Sequence, residues 1–139
     1  TLKDGVEWIN NSLKQMGFNK NEILYLNPSG LTRENRIRPT ALHQLLIKMH
    51  ENFSIFPETL PSLPVAGVDG TLKSRMKNSA AEGRIRAKTG LLTGVVGLAG
   101  FGGRADGSLM SFVFIFNGRP SLGETARHLF DQLAIELMK

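Results

Sequence analysis

The sequence has 139 residues, of which 41% are hydrophobic and 21% charged, values typical of one globular domain with a single core. Seventeen Lys and Arg residues against twelve Asp and Glu residues give a net charge of +5, and cysteine is absent. This composition excludes disulfides and thiolate catalysis, and no run approaches the roughly 18 apolar residues of a membrane span. The first residues show no signal-peptide pattern and lack an initiating Met, which suggests an internal starting point.

The first half of the chain predicts two helices separated by a turn-rich loop. Apolar residues recur at helical spacing and predict a helix from about Gly5 to Met16. Asp4 can cap the start of this helix, and Gly17 fits the left-handed residue that often ends one. A short extended stretch at 23–26 leads into the loop 27–35, where Pro28 and Gly30 favour turns. A second helix is expected over Pro39 to Glu51, because proline suits a first helical position.

The second half predicts irregular chain, then three strands and a helix. The segment 56–64 holds three prolines and is expected to be irregular, and a short helix is expected over 72–76. Strands are predicted over 84–89, 95–101 and 109–116, with an Asp-Gly turn signal at 106–107. A final helix from about Gly123 to Met138 carries an apolar stripe.

These elements predict an α+β fold in which an antiparallel meander of strands is flanked by helices. The third strand is apolar on both faces, although it would lie at a sheet edge. We therefore expect further strands to come from residues outside this sequence.

A basic stretch and three histidines are the other features with functional potential. The stretch has one opposing acid, Glu82, among six basic residues: Lys73, Arg75, Lys77, Arg84, Arg86 and Lys88. It is compatible either with a solvated basic face or with an anionic partner. Nucleic acid is not the expected partner, because no RNA-binding aromatic signature is present. His43, His50 and His128 show no ligand-like pairing with acids, so no metal site is predicted.

The triplet Lys88-Thr89-Gly90 is the sharpest local signal, at the end of a predicted strand and before a bend. Lys88 would bring a positive charge into a cleft, and Thr89 would offer a hydroxyl to a substrate carboxylate. Gly90 would let a substrate lie close to the backbone, and the N–H of Leu91 could stabilise an oxyanion. The competing interpretation is a strand end with an exposed lysine.

The surrounding blocks make the triplet more specific. Four blocks occur in order over roughly residues 25–117: Ser29-Gly30-Leu31-Thr32-Arg33-Glu34-Asn35, Ala66-Gly67-Val68-Asp69-Gly70-Thr71-Leu72, Gly83 to Gly90, and Leu98-Ala99-Gly100-Phe101. Together they resemble the penicillin-binding protein 4 type of D-Ala-D-Ala carboxypeptidase/endopeptidase. The resemblance implies the C-terminal portion of a β-lactamase/transpeptidase-like domain over residues 1–139, from which the upstream nucleophile-bearing part is missing.

The wider penicillin-recognising superfamily uses the motifs Ser-x-x-Lys, Ser-x-Asn and Lys-Thr-Gly. One Ser-x-x-Lys occurs, Ser74 to Lys77, but it ends only eleven residues before Lys88, whereas the family's nucleophile lies far upstream. No Ser-x-Asn triplet occurs. We therefore expect the nucleophilic serine, its lysine base and the second-motif serine to lie outside this sequence.

The resemblance implies roles for six residues in a serine peptidase that forms an acyl-enzyme on peptidoglycan peptides and is trapped by β-lactams. Lys88 is the catalytic residue, and Thr89, Gly90 and Leu91 bind the substrate. Arg33 contacts the peptide side chain in this interpretation, with a loop salt bridge as the alternative. Thr93 stands where some relatives have glutamine, which would alter side-chain recognition, and Leu91 stands where serine is common.

The resemblance also implies no cofactor, no transmembrane segment in this chain, and a periplasmic or otherwise extracytoplasmic bacterial location. Two alternatives to an enzyme stay open. The first is a non-catalytic penicillin-binding-like fold that binds peptidoglycan or a protein partner. The second is an unrelated basic α+β module, for which anion binding would depend steeply on salt.

Overall fold

The computed structural model describes all residues 1–139, and the chain divides into two compact units, Thr1–Leu42 and His43–Lys139. The first unit contains helix α1 (Leu2–Gln15) and a short antiparallel pair, β1 (Ile23–Leu24) and β2 (Arg36–Ile37). Helix α2 (Pro39–Glu51) has the predicted bounds, and the division between the units falls within it. No helix combines the length and the apolar character that crossing a membrane would require.

Helix α1 begins three residues earlier than the predicted Gly5, because its cap is Thr1 rather than Asp4. The Thr1 hydroxyl accepts from the backbone N–H of Asp4, and the Asp4 carboxylate accepts from the Thr1 amino group at 2.7 Å, which makes a capping box. Gly17 follows the helix with φ of +92°, as expected for a left-handed terminator. The Asn10 side chain then donates to the Tyr25 carbonyl oxygen at 2.9 Å and so connects α1 to the chain that follows β1.

The second unit is built on the predicted meander. Strands β3 (Ile85–Leu92), β4 (Val95–Gly103) and β5 (Leu109–Asn117) form one antiparallel sheet in the order β3-β4-β5. Helix α4 (Gly123–Leu137) covers one face of this sheet. Within this chain β5 is an edge strand, as the sequence predicted, and the α+β class is confirmed.

The two faces of the sheet carry different side chains, because residues paired across antiparallel strands point the same way. Ala87, Leu98 and Phe112 lie on one face and are buried against Ala126 and Phe130 of α4. The alternate residues of each strand form the opposite face, where Phe101 is buried.

Helix α3 (Phe56–Ser62) replaces the irregular segment that the three prolines predicted. Pro57 occupies the first turn, where its missing N–H costs nothing. The Phe56 ring packs edge-on against Phe101, with 5.2 Å between centroids. This tertiary contact stabilises a short helix that its own sequence disfavours, so the prediction was wrong here.

The segment between α3 and β3 pairs with the outer edge of β3 through one isolated antiparallel bridge, Val65 opposite Arg86. The backbone N–H of Ala87 donates to the Pro64 carbonyl at 3.0 Å, and that of Ala66 donates to the Ile85 carbonyl at 2.9 Å. The expected helix at 72–76 is instead a single 3-10 turn, Gly70–Leu72. It cannot continue as a helix because Met76 and Asn78 both have positive φ.

A largely buried ion pair connects the next loop to α4. The Arg75 guanidinium donates from Nε and Nη2 to the Asp131 carboxylate at 3.0 and 2.7 Å, and the two side chains are only 11% and 15% exposed. Replacing Asp131 by alanine in the complete protein should therefore cost about 2–3 kcal/mol, because the arginine charge loses its partner. Thermal or denaturant unfolding would measure the loss.

Glu136→Ala provides the control on the same helix. Glu136 pairs with Lys139 at 2.6 Å, but both side chains are more than half exposed. Its loss should cost less than about 0.5 kcal/mol. Equal losses for the two variants would contradict the assignment of a stabilising role to the Arg75–Asp131 pair.

Candidate active site

The Lys88-Thr89-Gly90 triplet lies inside β3 rather than at its end. The strand was predicted to stop at Thr89, but its pairing with β4 continues to Leu92 opposite Val95, and the turn is Thr93-Gly94. Gly94 has φ of +74°, and a Cβ there would lie 2.5 Å from the Gly118 carbonyl oxygen, so this turn requires glycine.

Gly90 differs from Gly94, since neither its backbone conformation nor the packing within the chain requires glycine at this position. Its φ is not positive, and an added Cβ would approach only Gly97 atoms at 3.9 Å. The residue is exposed. The absence of a side chain therefore leaves the strand surface open to a group from outside the chain.

The outer edge of β3 is half covered and half open. The residues before the triplet, Ile85 and Ala87, direct their backbone groups outward to Ala66 and Pro64. Because backbone groups alternate in direction along a strand, the N–H and C=O of Thr89 and Leu91 point toward the same edge. The covering segment pairs only as far as Ala87, so the Leu91 N–H faces the open half.

The Lys88 amino group reaches this open edge. Its side chain is exposed and lies on the sheet face opposite α4, since Lys88 pairs with Ala99. The ammonium Nζ donates to the carbonyl oxygen of Thr89 at 2.8 Å. The positive charge thus lies beside outward-facing backbone groups. Within this chain it is exposed rather than enclosed in the expected cleft, and its role in the site stays a prediction.

The Thr89 side chain lies on the α4 side of the strand, where its hydroxyl donates to Thr71 Oγ1 at 3.0 Å. Leu91 shares that side and is 69% exposed, and Thr93 is exposed in the turn. An ammonium group, a hydroxyl and a backbone donor therefore flank one open strand edge. Such a set of donors can bind a carboxylate and stabilise a developing oxyanion.

Arg33 belongs to the first unit, where it is exposed in the loop 25–35. The loop is held by Asn35, whose Oδ1 accepts from the N–H groups of Leu26 and Asn27 at 2.9 and 3.0 Å. The contribution of Arg33 to the site stays a prediction.

The Ser74 to Lys77 segment has no helical geometry. In a helix, residues at i and i+3 lie side by side, which a serine nucleophile and lysine base require. Here Met76 has φ of +57° and breaks any helical path. Ser74 and Lys77 instead border an open cavity of about 500 Å³ beside His128 of α4. This geometry agrees with the rejection of the segment as the nucleophile motif.

Two of the three histidines, His43 and His50, pack against other side chains of the second unit, whereas His128 is exposed. His43 Nε2 lies 2.9 Å from Ser111 Oγ, and the His50 ring packs edge-on against Phe56. The structure contains no group of three or more His, Cys, Asp or Glu side chains suited to a metal ion. The sequence analysis assigned no role to Thr71, although the residue lies in the block 66–72 that contributes to the family resemblance. Its hydroxyl contact with Thr89 appears only in the structure.

Comparison with known proteins gives a consistent family assignment. A model of the D-Ala-D-Ala carboxypeptidase 3 (S13) family matches residues 1–137. Penicillin-sensitive carboxypeptidase A of Dictyostelium discoideum is 32% identical over all of this chain, which covers 27% of that protein. D-alanyl-D-alanine carboxypeptidase DacB of Haemophilus influenzae is 30% identical over 87% of the chain, which covers 28% of that protein.

The solved structures agree with the sequence relatives. The structure of penicillin-binding protein 4 from Haemophilus influenzae, complexed with a novel β-lactam, superposes with a TM-score of 0.78 and 30% identity, over 96% of this chain and 34% of that one. The chain thus spans about a quarter to a third of the length of these relatives. Because the family model covers nearly every residue and the fold agrees, the chain belongs to the D-Ala-D-Ala carboxypeptidase 3 (S13) family.

Proposed function

We propose that the complete protein is a serine-type D-Ala-D-Ala carboxypeptidase/endopeptidase that acts on peptidoglycan peptides through an acyl-enzyme and binds penicillin. Residues 1–139 are the C-terminal part of its penicillin-binding domain and supply the Lys-Thr-Gly strand. The observation that carries this proposal is the convergence of Lys88, Thr89 and the Leu91 N–H on one open strand edge, in a chain of this family.

The open edge suggests how the peptide binds. A substrate strand laid along the outer half of β3 would meet the outward N–H and C=O groups of Thr89 and Leu91, and Gly90 would let it lie close. The Lys88 amino group would then leave the Thr89 carbonyl oxygen and pair with negative charges on the substrate and the nucleophile. The Thr89 hydroxyl would donate to the terminal carboxylate of the peptide.

The reaction in this proposal proceeds in two steps. A serine Oγ from the upstream part attacks the carbonyl carbon of the D-Ala-D-Ala bond, and the terminal D-alanine leaves with a proton on its amine. Water then attacks the acyl-enzyme ester, which releases the shortened peptide and regenerates the serine. The Leu91 N–H and the nucleophile's own N–H donate to the oxyanion in both steps. Lys88 stabilises the negative charge electrostatically.

The remaining predicted residues would select the peptide rather than perform the chemistry. Arg33 would pair with an acidic group of the peptide side chain. Thr93 would offer a hydroxyl where some relatives have the longer amide side chain of glutamine.

The open outer edge of β5 would pair with strands from the upstream part. We place the complete protein in the periplasm or another extracytoplasmic compartment, where peptidoglycan is found.

A labelling experiment tests this proposal. The complete protein should bind a fluorescent penicillin covalently and release D-alanine from a peptide ending in D-Ala-D-Ala. The isolated 139-residue chain should do neither, because the proposal places the nucleophile in another part of the protein. A complete protein that folds but is neither labelled nor active would favour a non-catalytic fold that binds peptidoglycan or a partner.

A further inference from the structure

Thr71, which lies outside β3, forms a hydrogen bond with the hydroxyl of the Lys-Thr-Gly triplet. The two hydroxyl oxygens of Thr71 and Thr89 lie 3.0 Å apart, although the residues are 18 positions apart in the chain. Both side chains keep access to solvent. The contact therefore lies at the rim of the open edge, where a ligand of Thr89 would bind.

The backbone around Thr71 is held tightly against β3. Leu72 is fully buried, and its carbonyl oxygen accepts from the Gly67 N–H at 3.0 Å. The Asp69 carboxylate accepts from the Val65 N–H at 2.7 Å, immediately beside the residues that pair with β3. The Thr71 hydroxyl thus has a defined position relative to the strand that carries Thr89.

A hydroxyl group has one hydrogen to donate and two lone pairs that accept, and its hydrogen rotates to suit its neighbours. In this structure Thr89 donates to Thr71. When Thr89 turns its hydrogen to an anion, its oxygen keeps lone pairs that face Thr71. Thr71 can then donate to Thr89 without movement of any heavy atom, and bonds in such a chain polarise and strengthen one another.

We propose that Thr71 is a positioning residue that donates a hydrogen bond to Thr89 Oγ1 while Thr89 donates to the carboxylate of the bound ligand. This inference rests on the proposed function, since it assigns the Thr89 hydroxyl to the ligand's carboxylate. It adds a specific consequence: Thr71 favours ligands with an anionic carboxylate, and it acts only through Thr89.

The test uses the complete protein and the second-order rate of acylation by benzylpenicillin. Thr71→Val keeps the side-chain shape but removes the hydroxyl, and it should lower the rate about three- to tenfold, the usual effect of one neutral hydrogen bond. Thr71→Ser retains the hydroxyl and should stay within about twofold of the unmodified protein. Thr125→Val, at an exposed position on α4, is the matched control and should leave the rate unchanged.

Two further measurements separate positioning from a merely structural role. In a Thr89→Val background, Thr71→Val should have little additional effect, because the two residues act as one unit. The methyl ester of benzylpenicillin lacks the anionic carboxylate, so Thr71→Val should not slow its reaction. Additive losses, or equal losses for acid and ester, would overturn the inference, as would an unchanged rate in Thr71→Val. Failure of the unmodified protein to be acylated at all would instead contradict the proposed function.

Discussion

Replacing Lys88 by alanine in the complete protein should slow acylation by a β-lactam by about 100- to 1,000-fold, the range found for loss of one preorganised electrostatic group. Lys88 is the cationic member of the triplet, and its ammonium lies at the open edge beside the Thr89 carbonyl. Without it, the negative charge that develops during serine attack loses a nearby compensating charge. Stopped-flow acylation or the time course of penicillin labelling would measure the rate.

Two neighbouring lysines serve as controls for the general charge of this region. Lys73 and Lys77 belong to the same basic stretch and are exposed, but neither lies on β3. Alanine at either position should change the acylation rate less than about twofold, since exposed charges are screened over short distances. If Lys77→Ala were as damaging as Lys88→Ala, the Ser74 to Lys77 segment would regain its candidacy as a catalytic motif.

Gly100→Ala should destabilise the complete protein by about 3 kcal/mol, because β4 has no room for a side chain at this position. A Cβ would lie 2.2 Å from the Arg86 carbonyl oxygen and 2.6 Å from the Ala87 Cα. These are backbone atoms of β3, so the strand itself must move. Gly100 pairs with Ala87, immediately before Lys88, and we therefore also expect slower acylation in the folded fraction.

Gly97→Ala is the matched control on the same strand. Its added Cβ would find Gly90 atoms at 3.8 Å, an ordinary contact, and its φ is not positive. The change should alter the free energy of unfolding by less than about 1 kcal/mol, in either direction. Similar thermal midpoints for the two variants would contradict the close approach of β3 and β4 at Gly100.

The fold could be predicted wherever one local signal dominates. The bounds of α2 follow from Pro39 and an apolar stripe, and the meander follows from apolar runs separated by turn residues. The prediction failed at α3, where proline content indicated irregular chain but contact between Phe56 and Phe101 stabilises a helix. That contact joins residues 45 positions apart, and no sequence window contains it.

The candidate site was predictable to a similar extent. The triplet lies within β3, and the Lys88 ammonium contacts the Thr89 carbonyl oxygen. The Lys88 side chain is exposed within this chain rather than enclosed in a cleft, and its catalytic role stays a prediction. The end of β3 was placed three residues too early, because Gly90 suggests a bend although it pairs normally with Gly97. The contact between Thr71 and Thr89 depends on how the segment 64–72 lies along β3, which no periodicity encodes.

The penicillin-labelling experiment tests the central claim most directly when the labelled residue is identified by peptide mapping and mass spectrometry. The claim is that β3 presents Lys88, Thr89 and the Leu91 N–H to a serine contributed by another part of the protein. The predicted result is a single adduct on a serine outside the 139 residues, within a Ser-x-x-Lys sequence. An adduct on Ser74, or on any other residue of this chain, would contradict the account.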